Sequence, residues 1–189
     1  MIKEKLILAS KSPRRSEILR AAGWPFEVIA ADVDETRRDG EQAVEYVKRL
    51  ANEKAEAVAA NVSSGLILAA DTTVVVDDHV LGQPVDDEDA RRMLQLLSGR
   101  WHEVLTGVAL LRVAAVETRV VDHERTRVRF SDMSQDEIDW YVATGEPRGK
   151  AGAYGIQGRA ALFIDEIQGD YFNIVGLPVR LVYEMVKKL

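Results

Sequence analysis

A mixed-sheet α/β fold is what these 189 residues predict, and three observations predict it. Aliphatic runs too short for helices alternate with stretches of helical spacing, in the order strand, helix, strand, helix, strand. Two long extended segments, Val104 to Val113 and Val116 to Phe130, then follow one another like an antiparallel pair. No repeat, low-complexity tract or linker divides the chain. At about 150 residues per domain, the length fits one domain over residues 1–189 with a second lobe, not a string of modules.

The elements follow in order. Leu6-Ile7-Leu8-Ala9 reads as a buried strand, and Ser12-Pro13 as an N-cap with proline at the first helical position of a helix closed by Gly23. Trp24 to Ile29 has strand composition, and Ala31 to Thr36 is an acidic loop. From Glu41 to Ala60, Val44, Val47, Ala51 and Val58 recur at helical spacing. Leu66 to Val76 is a central aliphatic strand that turns through Asp77-Asp78 into a hairpin with His79-Val80-Leu81. Asp86 or Asp87 caps a helix whose Ala90, Met93, Leu94 and Leu97 form one apolar stripe, ended by Ser98-Gly99. Ser134 and Glu137 fit a capping box for a helix that ends at Gly145. Gly149 to Gly158 is a glycine-rich loop, Ala161 to Ile167 a strand, Gly169-Asp170 a turn, and Pro178 to Lys187 a terminal helix.

Composition excludes several classes. With 47% hydrophobic residues the chain can build a core, and at this length about 70% of the unfolded surface is buried without staples. No run approaches the roughly 18 apolar residues of a membrane helix, and the first residues do not resemble a signal peptide, so a cytoplasmic protein off the membrane is expected. The absence of cysteine excludes zinc-ribbon, thiol-redox and disulfide scaffolds. A net charge of −6, from 25 Lys and Arg against 31 Asp and Glu, argues against a general nucleic-acid binder. His79, His102 and His123 lack metal-ligand spacing and read as surface or interface residues, and neither a nucleophile elbow nor a phosphate-loop motif is present.

Four places break local packing rules, which is where functional residues tend to lie. Arg14 and Arg15 occupy the first turn of a helix, where acidic residues would suit the dipole, and Arg15 shares a face with Ile18, Leu19 and Ala22. They are either a solvated pair or, with the free N–H groups of the helix start, an oxyanion site suited to phosphate. Lys54 falls on the apolar stripe of the second helix; its stem either packs while the ammonium reaches water, or the charge serves a site. Asp71 interrupts the central aliphatic strand, where an unpartnered carboxylate costs several kcal/mol. It marks a strand kink, or catalytic groups at a strand end in Asp71-Thr72-Thr73. Lys150 to Gly158 is either an ordinary turn or a segment whose glycines admit a ligand, with Gln157 offering a paired donor and acceptor for a base edge.

Leu8-Ala9-Ser10-Lys11-Ser12-Pro13-Arg14-Arg15, Asp34-Glu35, Lys54, Ala70-Asp71-Thr72 and Lys150-Ala151-Gly152-Ala153-Tyr154-Gly155-Ile156-Gln157-Gly158 together resemble the Maf family of nucleotide pyrophosphatases, in order, from residue 6 to about residue 180. The resemblance implies hydrolysis of a nucleoside triphosphate to the monophosphate and pyrophosphate with a divalent cation, Mg2+ or Mn2+. It also implies an elongated, two-lobed, ITPase-like fold with the active cleft between the lobes. Ser10, Arg14 and Arg15 would then hold phosphates, and Glu35 and Asp71 would bind metal and activate water, with Asp71 as the base. Lys54 would offset the triphosphate charge, and Lys150 would join the substrate site. Arg14, Thr72 and Gln157 are similar to the branch that acts on dTTP and UTP. Gln83 stands where members commonly carry Lys, so phosphate binding is either weaker or supported by Arg91 or Arg92.

Two rival readings stand beside this one. A nucleotide-binding regulator of septum formation or cell division would bind without turnover, and the combination of Asp71, Lys54 and Glu35 argues against it. A nucleic-acid module would carry an extended basic stripe, whereas Lys11, Arg14, Arg15 and Arg20 cluster. A homodimer paired through the long strands is left open.

Overall fold

Strand β1 (Leu6–Leu8) is buried at all three residues and pairs in parallel along both edges, with β2 (Phe26–Val28) and β3 (Gly65–Val76), setting Leu6 opposite Phe26 and Leu66. A computed structural model describes residues 4–189 and shows one seven-stranded sheet. Its order is β2-β1-β3-β5-β6-β7, where β5 is Trp101–Val113, β6 Thr118–Phe130 and β7 Ile164–Gln168, while β4 (His79–Leu81) pairs with β3. The β3–β4 and β6–β7 pairs are antiparallel, so the sheet is mixed, as the element order predicts.

Among the described residues six α-helices complete the fold: α1 (Pro13–Ala21), α2 (Ala43–Ala59), α3 (Asp87–Leu97), α4 (Gln135–Ala143), α5 (Tyr171–Val175) and α6 (Val179–Val186). Asp86 caps α3 by accepting the Asp89 N–H, and the Ser134–Glu137 capping box opens α4. Ala90, Met93, Leu94 and Leu97 are all buried. Ser12 occupies the N-cap of α1 in extended conformation with Pro13 following, but its side chain does not cap; its N–H donates to Ser10 Oγ at 3.1 Å instead. One other expectation is corrected. The strand expected from Ala161 begins only at Ile164, because residues 159–163 form a 3-10 turn that buries Ala160 and Phe163. Between the Gly169-Asp170 turn and the terminal helix, where the sequence assigns no element, lies α5, whose five residues are too few to show a period.

By backbone proximity the chain divides into two interleaved units. Unit 1 comprises the chain up to Asp71, Thr106–Glu124 and Gly176–Leu189; unit 2 comprises Thr72–Leu105 and Arg125–Val175. In unit 1, Ile7, Ala9, Ala51, Ala55, Val58, Ile67, Ala69, Ala109 and Leu111 form a core rich in small side chains. Small residues let α2 lie directly on the sheet: a Cβ at Gly107 of β5 would collide with the Val47 backbone. That close seat fixes the height at which α2 presents Lys54. The unit 2 core is bulkier and aromatic, with Phe130, Tyr141, Tyr154 and Phe163 among its members. His102 lies inside it, 2% exposed, rather than on the surface. Its ring stands edge-on to Phe130 and Tyr154 at centroid distances of 5.1 and 5.4 Å. Among the described residues no helix is long and apolar enough to cross a membrane.

Candidate functional site

In unit 1 the residues that broke the packing rules come together. Lys54, on the inner face of α2 with its side chain 12% exposed, places Nζ 2.6 Å from Asp71 Oδ1 and 2.6 Å from Glu35 Oε1. Asp71 lies in the middle of β3, which runs on to Val76, so Asp71-Thr72-Thr73 is not at the strand end expected from the sequence; Glu35 rises half-exposed from the loop after β2. One ammonium therefore joins two carboxylates from different parts of the chain. The Lys54 charge is thus engaged inside the unit and does not run out to water, and it supplies the partner a buried Asp71 requires. Burial pushes the Asp71 carboxyl above the usual carboxylate range; Lys54 and Arg15 pull it back, and the negative Glu35 adds to the rise. A carboxylate raised in this way is a better proton acceptor near neutral pH than a free one.

Beside this group, Arg15 Nη1 donates to Ser10 Oγ at 3.1 Å and Nε to the Gly176 carbonyl oxygen at 2.8 Å. Burial lowers the Arg15 pKa, opposed chiefly by Asp71, so its charge is felt at the carboxylates. Ser10 is 6% exposed, and its hydroxyl accepts from both Arg15 and the Ser12 N–H. With two N–H donors on the oxygen, its own O–H is what it has to offer an anion. Arg14 is partly buried on the same turn, its pKa lowered by burial and raised by Glu17.

Sequence reasoning missed Tyr46, about two turns before Lys54 on α2. Its Oη donates to the Glu35 carbonyl oxygen at 2.9 Å, and burial, then the charges of Asp71 and Glu35, push its pKa to about 12. The phenol thus stays protonated as a donor. The only signal available was a tyrosine on the same helix as a misplaced lysine.

Unit 2 holds the remaining predicted residues. Thr72 follows Asp71 in β3 and is partly buried. Gln83 and Gln157 are exposed, and Lys150 is partly buried with Nζ donating to the Glu146 carbonyl oxygen. The Gly152 N–H donates to the Gly82 carbonyl oxygen at 3.0 Å, so the Gln83 loop and the glycine-rich segment are tied backbone to backbone. That segment is anchored from below. Tyr141 Oη accepts the Gly155 N–H at 3.2 Å and donates to Glu146 Oε1 at 3.0 Å, while His102 Nε2 meets Tyr154 Oη at 2.9 Å. Gly152 has φ +67° and packs against Val74, and a Cβ at Gly158 would collide with the Glu146 carboxylate. The close approaches expected for a ligand are made, at these two glycines, to the protein's own side chains. Of the two arginines that could supply the charge Gln83 lacks, Arg91 Nε lies 2.6 Å from Asp139 and Arg92 Nη2 2.6 Å from Asp89.

Among the described residues no three or more His, Cys, Asp or Glu side chains converge as a ready-made metal cage. The two carboxylates that meet on Lys54 are hard oxygen donors. Such a set fits Mg2+ or Mn2+, which keep several waters and draw further ligands from substrate phosphates.

A family profile described as Maf-like protein matches residues 5–189. A curated dTTP/UTP pyrophosphatase from Symbiobacterium thermophilum is 52% identical over 183 residues, covering 97% of this chain and 93% of that protein. Proteins of the same name from Koribacter versatilis and Bacillus cytotoxicus are each 50% identical, covering 97% and 96% of this chain and 93% and 94% of theirs. Among solved structures, a Ham1 protein from Staphylococcus aureus aligns over 97% of this chain and 98% of its own, with a TM-score of 0.56 at 12% identity. One from Coxiella burnetii aligns over 97% and 98%, with a TM-score of 0.52 at 16% identity. At such identities these two structures bear on the fold alone, and they agree with the mixed α/β architecture.

Proposed function

The chain belongs to the Maf family, and we propose that it hydrolyses a nucleoside triphosphate, dTTP or UTP, between the α and β phosphates to the monophosphate and pyrophosphate, with residues 1–189 acting as one domain. The observation that carries this reading is the Lys54 ammonium held at 2.6 Å from both Glu35 and Asp71. Half-identical relatives named dTTP/UTP pyrophosphatase supply the substrate class.

Ser10, Arg14 and Arg15 bind the phosphates: two guanidinium groups and a hydroxyl at a helix start complement an oxyanion. Lys54 offsets charge that builds on the phosphate oxygens as the anhydride opens. Asp71, raised by burial, takes a proton from the attacking water, whose oxygen forms the new bond to phosphorus as the bridging oxygen departs. Glu35 and Asp71 would hold a divalent cation, which when bound neutralises phosphate charge. Thr72 and Gln157 read the base, and Gln83 and Lys150 contact the substrate from the two tied loops.

A panel of canonical and modified triphosphates, assayed for released pyrophosphate with Mg2+ or Mn2+, tests the proposal. Release from UTP and dTTP ahead of purine nucleotides is expected. Tight nucleotide binding without release of pyrophosphate would replace hydrolysis by a binding function.

A further inference from the structure

The segment that carries Glu35 forms neither helix nor strand from residue 29 to residue 42, yet side chains of α2 hold two consecutive backbone carbonyls in it, those of Glu35 and Thr36. Tyr46 Oη donates to the Glu35 carbonyl oxygen at 2.9 Å. One turn on, Arg49 Nη2 donates to the Thr36 carbonyl oxygen at 3.1 Å. The same guanidinium grips both oxygens of Glu41, with Nε 2.6 Å from Oε1 and Nη2 2.8 Å from Oε2, and its Nη1 reaches Glu53 at 3.1 Å. Glu41 also accepts the Arg38 N–H at 3.1 Å, and Asp34 Oδ1 accepts the Thr36 N–H at 2.9 Å.

This is not an ordinary surface ion pair. The Arg49 and Glu41 side chains are only 13% and 10% exposed, and the contact is forked at both ends. Two charges withdrawn from water contribute little net stability, so their close engagement is better explained by the conformation it selects. A carboxylate borne on a free loop would sample many positions, whereas a group that must meet Lys54 has to be held near one.

We propose that Tyr46, Arg49 and Glu41 are positioning residues that fix the Glu35 peptide so that its carboxylate stays on Lys54 beside Asp71. The proposal rests on the pyrophosphatase reading for the role of Glu35. Arg49 is the pivot, because a planar fork bonds Glu41 and the Thr36 carbonyl at once, which the point charge of a lysine does not reproduce.

The test is a double-mutant cycle on the full chain. R49K and Y46F are each made in the wild type and in Glu35→Gln, with kcat and KM for UTP measured together with hydrogen exchange of residues 34–41. We expect R49K to lower kcat/KM about 10- to 100-fold and Y46F about 2- to 10-fold. In the Glu35→Gln background each costs less than about twofold further, because the residue acted through has gone. Exchange of residues 34–41 should accelerate in both variants while that of α2 is unchanged. A full R49K effect persisting without Glu35, or unaltered exchange of the segment, overturns the proposal. If R49K fails to fold, Y46F, which removes one hydroxyl, completes the cycle alone. Absence of pyrophosphate release by the wild type overturns the pyrophosphatase reading, while the exchange measurement, which needs no turnover, still decides whether these side chains hold the loop.

Discussion

Unit 1 and unit 2 both bury neutral polar side chains, Ser10, Ser16 and Thr106 in the first and Thr73, His102, Thr126 and Asn173 in the second, but unit 1 adds a cluster of charges. There Lys54 lies between the buried Asp71 and the half-exposed Glu35, Arg49 forks onto Glu41, and Arg15 donates to Ser10. In unit 2 the most deeply buried are neutral: His102 on Tyr154, Tyr141 on the Gly155 N–H, and Asn173 donating to the Val104 carbonyl oxygen at 2.9 Å and to Thr126 Oγ1 at 3.1 Å. Charges so placed are expensive unless each meets a partner, and they tune one another's proton affinity. Neutral groups bonded among aromatic rings fix the shape of a loop without adding a charge to it. Under the proposed function, unit 1 supplies the field for the reaction and unit 2 the frame that presents Gln83, Lys150 and Gln157.

The contrast fails most visibly if Asp71 is dispensable. Asp71→Asn keeps the shape of the side chain and removes the proton acceptor, so pyrophosphate release from UTP should fall about 10²- to 10⁴-fold while nucleotide binding survives. Turnover close to that of the wild type would remove Asp71 as the base. Because burial raises its pKa, the acidic limb of the wild-type kcat/KM profile should lie above the ordinary aspartate value of about 3.9. The variant, retaining only residual activity, should lack that limb.

The same difference explains how much was legible in the sequence. Arg15, Lys54 and Asp71 stood out because a charge on an apolar stripe or strand contradicts its neighbours. Nothing comparable marked His102, Tyr141 or Glu146, since a histidine or tyrosine in an aliphatic context reads equally well as core or surface. Tyr154 lies 52 residues from His102, and Tyr141 and Glu146, though five residues apart, meet across a helix end whose geometry the sequence does not mark. Tyr46 and Arg49 were hidden for another reason: they touch the backbone of a loop with no period, so no pattern connects them to Glu35. The sheet and the long helices followed from aliphatic runs and caps. Residues 159–163 did not, because whether an apolar stretch pairs in a ladder or folds into the core is decided by tertiary contacts, here the Ser131 N–H donating to the Phe163 carbonyl oxygen.

A second way to sharpen the comparison is the pH dependence of stability, with an effect of a few kcal/mol. Burial holds His102 down to about 4, against 6.5 for a free histidine. Between those values the unfolded chain binds the proton and the folded chain does not, so stability present above pH 6.5 is lost as the pH falls through the window, by about 3 kcal/mol in all. Urea midpoints for the wild type and His102→Gln at pH 7 and pH 4.5 should show the loss shrinking in the variant. Glu41 acts lower: Arg49 holds it down to about 2 from 4.5, so its contribution is present above pH 4.5 and is lost as the pH falls towards 2. Glu41→Gln should flatten only that lower range. If both substitutions altered the same window, the separation between a neutral unit 2 core and a charged unit 1 face would collapse.

The smallest effect concerns a charge that unit 2 lacks. Gln83 is exposed on the loop tied to the glycine-rich segment, and Arg91 and Arg92 are occupied by Asp139 and Asp89. A glutamine bonds a phosphate oxygen without charge, whereas an ammonium adds a charge-assisted bond worth about 1 kcal/mol more. Gln83→Lys should therefore lower the KM for UTP by about fivefold at low ionic strength, and the gain should shrink as salt screens an exposed cation. Since the proposed catalytic groups lie in unit 1, kcat should change little. An unchanged KM would place Gln83 away from the phosphates, and a changed kcat would show that the frame and the field are not separable.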